Sequence, residues 1–365
     1  MIYNGGDVTI HRTIHRTAGM LILALTLLLA VGACAKDREA ITIAAVGDIM
    51  MGSDYPESKL PPRDGDGIFD DVKEAFGGQN IVFGNLEGPL LDGGTTTKCE
   101  KLSSCFAFRT PTRYVRFLQE AGVTAVSVAN NHASDFGDEG RESTLRTLAS
   151  AGIQAVGGES VARFTMKGKK VVLVGFSYST PSHYSFSMLD IPEAMRIVRN
   201  LKKENDLIIV SFHGGAEGNM AQHVPGKAEI FMGEERGDVM HFAHAVIDAG
   251  ADLVIGSSPH VVRALEVYRG KLIAYSLGNF LTYERFNISG PSGCSVVLKA
   301  RIDAETGNFI GGTLVPVRLV HEGIPQPDPE RKAINLVKSL TAQDIPRPGI
   351  VISVDGTIAP DSLSK

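Results

Sequence analysis

Short apolar runs rich in β-branched residues limit what this chain can become. They cover residues 41–46, 81–84, 125–129, 171–175, 207–211 and 253–256. Each has strand length and is apolar nearly throughout, as a strand buried on both faces requires. Helical patterns lie between them, near residues 111–121, 139–151, 192–203 and 238–249, the second and fourth followed by glycine as a helix stop. Thr110-Pro111 reads as the N-cap and first residue of the first helix, with Gly122 ending it. Strands alternating with helices predict an α/β fold.

After Ala264 the rhythm changes. Residues 265–268 and 271–276 form a hairpin pattern around Arg269-Gly270, and residues 295–302 and 309–320 form a longer one. The α/β core is therefore expected to be closed by antiparallel strands. Beyond Glu322 the chain is Pro-rich, then offers a short helical pattern at residues 330–340 and a polar tail. No internal repeat is visible.

The amino terminus reads as a targeting segment. His11, Arg12, His15 and Arg16 precede the apolar stretch at residues 20–31, which is short for a membrane span. Val31-Gly32-Ala33-Cys34 resembles a bacterial lipobox, so Cys34 is the expected lipidation site and new amino terminus. Ordinary signal cleavage and an uncleaved anchor helix are the alternatives. Export makes a disulfide between Cys99 and Cys105 the expectation, stapling an insertion at residues 91–108. Their spacing is not Cys-x-x-Cys and neither has a histidine neighbour, which disfavours a cysteine metal site. Cys294 is left over and expected to be buried. With 36 basic and 41 acidic residues and no basic run, nothing points to nucleic acid.

The chemistry gathers where the apolar runs end. Gly47-Asp48 ends the first, and Asn85-Leu86-Glu87 the second. Asn130-Asn131-His132, closed by Asp135, ends the third; His213-Gly214-Gly215-Ala216-Glu217 and Pro259-His260 follow later runs, with Glu266 beyond. In open α/β sheets ligands bind at the carboxyl ends of strands. Hard oxygen donors and imidazoles at those ends are the ingredients of a divalent metal site for phosphoryl chemistry. Asp48 and Glu87 can bridge ions, Asn131 offers an amide oxygen, and His213 and His260 offer imidazoles. Each cluster alone has a blander reading: a Gly-Asp after a strand is usually a turn or cap, and a lone histidine is often a satisfied core residue. The ordered set outweighs them.

That set resembles the bacterial CapA family, linked to poly-γ-glutamate capsule synthesis and export. The resemblance rests on Gly47-Asp48, Asn85-Leu86-Glu87, Asn130-Asn131-His132 with Asp135 and Gly137, His213 to Glu217, residues 250–256, Pro259-His260-Val261 and residues 275–280. It implies a calcineurin-like metallophosphoesterase fold: two packed β-sheets flanked by helices, closed by C-terminal antiparallel hairpins. Residues 1–34 are then a lipoprotein signal peptide, 35–322 the domain and 323–365 an extension. By position, Asp48, Glu87, Asn131, His213 and His260 are expected to hold Mn²⁺, Mg²⁺ or Zn²⁺, and His132 to act on the reacting group. Asn85, Asn130, Asp135, Glu217 and Glu266 are assigned to substrate.

Four positions depart from the pattern, among them Glu87, which stands where metallophosphoesterases usually carry an aspartate. Met50 stands where metallophosphoesterases carry a histidine two residues after the first aspartate, and Ser257-Ser258 replace histidines before the Pro-His pair. A single or weakly held ion follows as an alternative to two metals. The expected function is an exported, lipid-anchored protein acting on an anionic polymer or its precursor in the cell envelope. The alternative is a non-catalytic polymer-binding or assembly subunit of a membrane synthase.

Overall fold

The chain enters its fold on β1 (Ala40–Met50), in a computed structural model that describes residues 1–2, 39–96, 98, 106–179 and 184–362. In succession β1, β2 (Ile81–Leu86), β3 (Ala125–Ser127) and β4 (Gln154–Val156) pair in parallel and begin the first sheet. The chain then builds a second sheet with β5 (Ala162–Met166), β6 (Lys169–Ser177), β7 (Phe186–Ser187) and β8 (Leu207–His213). A separate ribbon, β9 (Glu229–Phe231) and β10 (Glu234–Gly237), precedes β11 (Leu253–Ser257), β12 (Leu265–Tyr268) and β13 (Lys271–Ala274), which complete that sheet. The chain returns to the first sheet with β14 (Asn279–Thr282), β15 (Cys294–Asp303), β16 (Phe309–Val320), β17 (Ile324–Pro327), β18 (Ile350–Ile352) and β19 (Thr357–Pro360).

The result is a four-layer α/β/β/α arrangement. One apolar cluster takes alternate residues from both sheets, among them Ile41, Ile43, Ile81 and Phe83 facing Leu173, Ile209, Leu253 and Ile255. The opposite faces pack on helices. Val82 and Val126 meet Phe117 and Leu118 of α1 (Val115–Glu120) and Leu148 of α2 (Gly137–Ser150). Ile208, Val210 and Val254 meet Val198 of α3 (Ile191–Lys202) and Phe242 and Val246 of α4 (Val239–Asp248). Strands apolar on both faces are what this burial demands.

The α/β expectation is therefore the fold observed, closure by antiparallel C-terminal hairpins included, with differences in detail. The C-terminal hairpins close the fold by extending existing sheets: β15 pairs antiparallel with β1, and β12 with β13. Residues 323–362, which the sequence set apart as an extension, add strands to the first sheet, and Ile334, Val337, Ile352 and Ile358 join the inter-sheet cluster through α5 (Lys332–Asp344), β18 and β19. The helix expected from Pro111 starts at Val115, after a 3-10 turn at Thr112–Tyr114. Thr110 is bridged to Leu90, and its hydroxyl donates to the Gly52 carbonyl at 2.7 Å, so it is not free to cap. Cys294 is half-buried rather than buried. Cys34, Cys99 and Cys105 lie outside the described residues. Among the described residues no helix is long and apolar enough to cross a membrane.

One irregularity in β1 positions the chemistry. Pairing with β2 shifts register between Ala45 and Asp48, where one strand gains a residue over the other. An extra residue reverses which face later side chains take. The outer-face set of β1 is accordingly Ala44 and Val46 before the bulge, then Ile49 and Met51 after it. Asp48 is thereby turned to the inner face, opposite Asn85. Gly47 sits in the bulge, where an added Cβ would fall 1.7 Å from the Gly278 carbonyl oxygen. That approach lets the Asp48 amide donate to the same carbonyl at 3.0 Å. Gly47→Ala is expected to destabilise the protein by at least about 1–3 kcal/mol, the usual cost of overpacking; equilibrium denaturant unfolding checks it, and a wild-type midpoint would contradict the bulge argument.

Candidate metal centre

On the inner face, aliphatic residues give way to polar ones at the carboxyl end of each central strand. Ile81 and Phe83 lead to Asn85 on β2, Leu207 and Ile209 to Ser211 and His213 on β8, and Leu253 and Ile255 to Ser257 on β11. A period of two makes this one continuous face. The loops that follow bring Glu87, Asn131, His132, Glu217 and His260 above it.

Asp48, Glu87 and His260 offer ligand atoms within 4.8 Å of one another. His260 Nδ1 lies 3.1 Å from Asp48 Oδ2, and its Nε2 lies 3.7 Å from Glu87 Oε1. The turn that delivers His260 is left-handed, with φ of 101° at Ser258 and 58° at His260, a conformation costly outside glycine. Both oxygens of Glu87 and Asp48 Oδ2 are buried without a hydrogen-bond partner. Buried carboxylate oxygens are nearly always satisfied, so three unsatisfied ones on two carboxylates beside His260 fit a divalent cation. Two carboxylates and an imidazole suit Mn²⁺, Mg²⁺ or Zn²⁺.

Amide polarity across the site can be read from a backbone anchor. The His132 N–H donates to Asn130 Oδ1 at 3.1 Å, so Asn130 Nδ2 is the donor to Asn85 Oδ1 at 3.0 Å and to the Leu86 carbonyl at 2.9 Å. Asn85 Nδ2 must then donate to Asp48 Oδ1 at 2.8 Å and face His213 Nδ1 at 3.3 Å. His213 consequently carries its proton on Nε2 and donates it to Asn131 Oδ1 at 2.9 Å. Ser257 Oγ, 3.1 Å from Nδ1, is the acceptor for the other tautomer, which would free Nε2 for a cation. His213 Nε2 is 4.0 Å from Glu87 Oε1, so it and Asn131 border the same point. Burial, together with the charges of His260 and Arg236, pushes the His213 pKa well below that of an ordinary histidine.

His132 has a different setting. Its Nδ1 lies 2.8 Å from Asp135 Oδ2, while Nε2 faces Glu87 Oε1 at 4.0 Å. Asp135 also accepts from the Phe108 N–H at 2.7 Å and pairs with Lys98. This fixes Nδ1–H on Asp135 and leaves the Nε2 lone pair toward the site. Burial lowers the His132 pKa despite Asp135, so the ring is held neutral. Phe108, with its ring centroid 4.2 Å from that of His132, and Phe286, 4.7 Å from that of His260, wall the site with apolar surface.

The site thus assembles Asp48, Glu87, Asn131, His132, His213 and His260, with Glu217 at its edge. Asn85, Asn130 and Asp135, assigned from sequence to substrate, are buried supports of these groups. Glu266 is elsewhere: it sits on β12 opposite Ile273, accepts from the Tyr275 hydroxyl at 2.6 Å and lies 2.9 Å from His244 Nε2. Its position just after the Pro-His pair was misleading because β12 runs antiparallel, carrying it away from the strand ends. Met50 is fully buried, and Ser257 supports His213. Sequence reasoning gave no role to Asn279, whose Oδ1 receives His260 Nδ1 at 3.0 Å, although it lies within the motif at residues 275–280. Arg236 was missed altogether, hidden in a charged stretch.

Comparison with known proteins places this geometry. The profile of the family described as "Bacterial capsule synthesis protein PGA_cap" matches residues 42–284, which carry the whole site. The chain belongs to that family. It is similar to "PGA biosynthesis protein CapA" of Bacillus subtilis, 28% identical over 258 residues, covering 67% of this chain and 63% of that protein. It is also similar to "Capsule biosynthesis protein CapA" of Bacillus anthracis, 29% identical over 267 residues, covering 67% of this chain and 61% of that protein. The chain therefore spans a little under two thirds of the length of these relatives. Among solved structures, the calcineurin-like phosphoesterase YfkN from Bacillus subtilis aligns with a TM-score of 0.42 at 16% identity, covering 84% of this chain and 97% of that one.

Protonation gives the site a testable sign. Burial opposes charge on His260, but Glu87 and Asp48 outweigh it and carry its pKa up to about 10. Burial and the neighbouring Asp48 raise that of Glu87 well above the carboxylate range. A cation must displace these protons, so Mn²⁺ affinity is expected to climb with pH across 6–9, by up to about tenfold per unit for each proton released. Isothermal titration in buffers of different ionisation enthalpy checks both affinity and proton release. For the metal-free protein, His260 contributes stability that is full below its unfolded pKa near 6.5 and is lost as pH rises toward 10. A pH-independent affinity would contradict the ligand assignment.

Proposed function

We propose that this protein is an exported, lipid-anchored member of its family that acts on poly-γ-glutamate or a precursor through a hydrolase-like site for one divalent cation. The observation that carries this reading is the set of buried, unpartnered oxygens of Asp48 and Glu87 beside His260. The names of the relatives, concerned with PGA and capsule biosynthesis, supply the polymer. Export and anchoring rest on the lipobox-like segment ending at Cys34.

Asp48, Glu87 and His260 would hold the ion, with Asn131 and His213 bordering it. Bound there, a divalent cation supplies Lewis-acid polarisation of the scissile group and of water. The remaining chemistry belongs to the chain. His132 presents its Nε2 lone pair to the site and can take a proton from water or return one to a leaving group at that atom. Asp135 keeps this tautomer and stabilises the imidazolium when it forms. Phe108 and Phe286 exclude bulk water and strengthen every electrostatic interaction inside.

A second reading, a non-catalytic polymer-binding or assembly subunit of a membrane synthase, is favoured by Met50. Its thioether is a poor partner for hard cations where hydrolases of the expected fold carry an imidazole. Elemental analysis and turnover separate the two. Wild-type protein is expected to retain stoichiometric metal after dialysis, Glu87→Gln and His260→Ala to lose it, and wild type to hydrolyse a member of a phosphoester and γ-glutamyl panel. Asp135→Asn is expected to keep the metal and lose roughly 10²-fold in turnover, the scale of general acid–base catalysis. Bound metal without turnover on the whole panel would favour the assembly subunit. Metal at blank level would sink the cation reading.

A further inference from the structure

A nearly buried guanidinium stands beside this centre with no role in holding it. Arg236 is 4% exposed, lies over the Tyr178 ring at 4.0 Å, and pairs with Glu217 through Nη1 and with Glu234 through Nη2 at 3.1 Å. Its Nε is buried without an acceptor. Tyr178 in turn stacks on His213, their ring centroids 6.2 Å apart. Tyr178 and Glu234 also line an open groove with Ser179 and Asn131, so the guanidinium adjoins the path by which a ligand would reach the strand ends.

Glu217 bridges this arginine and the centre. Oε1 is on Arg236, while Oε2 lies 3.8 Å from His260 Nε2, too far for a hydrogen bond. Its loop is clamped on both sides. The buried Arg263–Glu229 pair, 2.8 Å at each nitrogen, receives the Ala216 N–H on Glu229 and donates to the carbonyls of Ala216 and Ala221. The backbone is therefore fixed and only the Glu217 side chain is free to swing.

We propose that Arg236 and Tyr178 form a carboxylate subsite beside the centre, and that Glu217 occupies it until a carboxylate of the substrate displaces it. This rests on the reading above and specifies its ligand, a γ-glutamyl unit recognised by a free carboxylate. An arginine fork matches a carboxylate in two parallel hydrogen bonds, here through the Nη1 that Glu217 gives up and the adjacent Nη2, which Glu234 holds at 3.1 Å. The Glu217 carboxylate is the same chemical group as the one it stands in for.

The test is calorimetric titration of full-length protein, with and without Mn²⁺, using γ-glutamylglutamate and its triamide, in which all three free carboxylates are converted to amides, as probes. Wild type should prefer the free carboxylate over the amide. Arg236→Met should weaken γ-glutamylglutamate binding about tenfold or more and abolish that preference, with Arg236→Lys intermediate, while retained metal and an unchanged melting temperature show the centre intact. Glu217→Ala should tighten binding, because it removes the competitor. If Arg236→Met, folded and metal-loaded, binds both probes as wild type does, or if Glu217→Ala weakens binding, the subsite is overturned. Where Arg236→Met fails to fold, Arg236→Lys and Glu217→Ala decide. Absence of metal from wild type would count against the cation reading alone, since the same titrations without Mn²⁺ still decide the subsite.

Discussion

Asp48 and Glu87 are both buried, and their ligand atoms lie within 4.8 Å of each other and of His260. Two like charges at that separation repel by roughly 3 kcal/mol at an effective dielectric of about 20, before desolvation is counted. Neither Glu87 oxygen has a hydrogen bond to offset this. Such an arrangement persists only if positive charge is supplied or Glu87 keeps its proton, as its raised pKa directs. In the chain itself the supplier is the His260 proton, held up to a pKa of about 10 by the same carboxylates, against its burial. A divalent cation supplies more charge at the same point and can contact oxygens that the imidazole does not satisfy. The proton and the cation are therefore competitors for one electrostatic vacancy.

The fold holds that vacancy open by rigid means. Parallel strands of two sheets end together, and their inner faces become polar at the same level. The amide relay from the His132 backbone through Asn130 and Asn85 to Asp48 fixes each group's orientation, since every amide has only one consistent way to point. Asn279 does the same for His260, its Nδ2 donating to the Ser292 carbonyl at 3.2 Å so that Oδ1 must face the ring. A site supported this way has little freedom to relax around a missing charge. Preorganisation of this kind costs stability and gains binding.

Much of this was legible in the residues. The apolar runs gave the strands because burial on both faces leaves no other composition, and the polar residues after each run marked the strand ends. Asp48, Glu87, Asn131, His132, His213 and His260 converge as their order suggested. What sequence order could not convey was direction. Glu266 follows His260 closely, yet strand reversal at β12 carries it away. The inward turn of Asp48 depends on a bulge whose parity is visible only in the pairing with β2. Arg236 reaches the site from a short ribbon outside both sheets, directly after two glutamates that make it read as a solvated charge. The strands at β18 and β19 were missed because proline, glycine and polar residues surround very short apolar segments.

The departures at Met50 and Ser257 acquire different weights once placed. Ser257 is not an empty position: its hydroxyl donates to the Phe212 carbonyl at 3.2 Å, leaving Oγ as an acceptor 3.1 Å from His213 Nδ1 that supports the Nδ1–H tautomer. An imidazole there would be a ligand, whereas serine makes the neighbouring ligand adjustable. Met50 follows Asp48 onto the inner face and fills its space with a group that hard cations bind weakly. Asp48, Glu87 and His260 bring two carboxylates and an imidazole to one corner, while the side bordered by Met50 and Ser257 offers no imidazole from those two positions. The asymmetry is the ground for the single cation proposed above, with His213 bonded to Asn131 beside it. It also explains why a carboxylate subsite beside the centre matters: with fewer metal ligands, more of the substrate's orientation falls to the protein's own fixed charges.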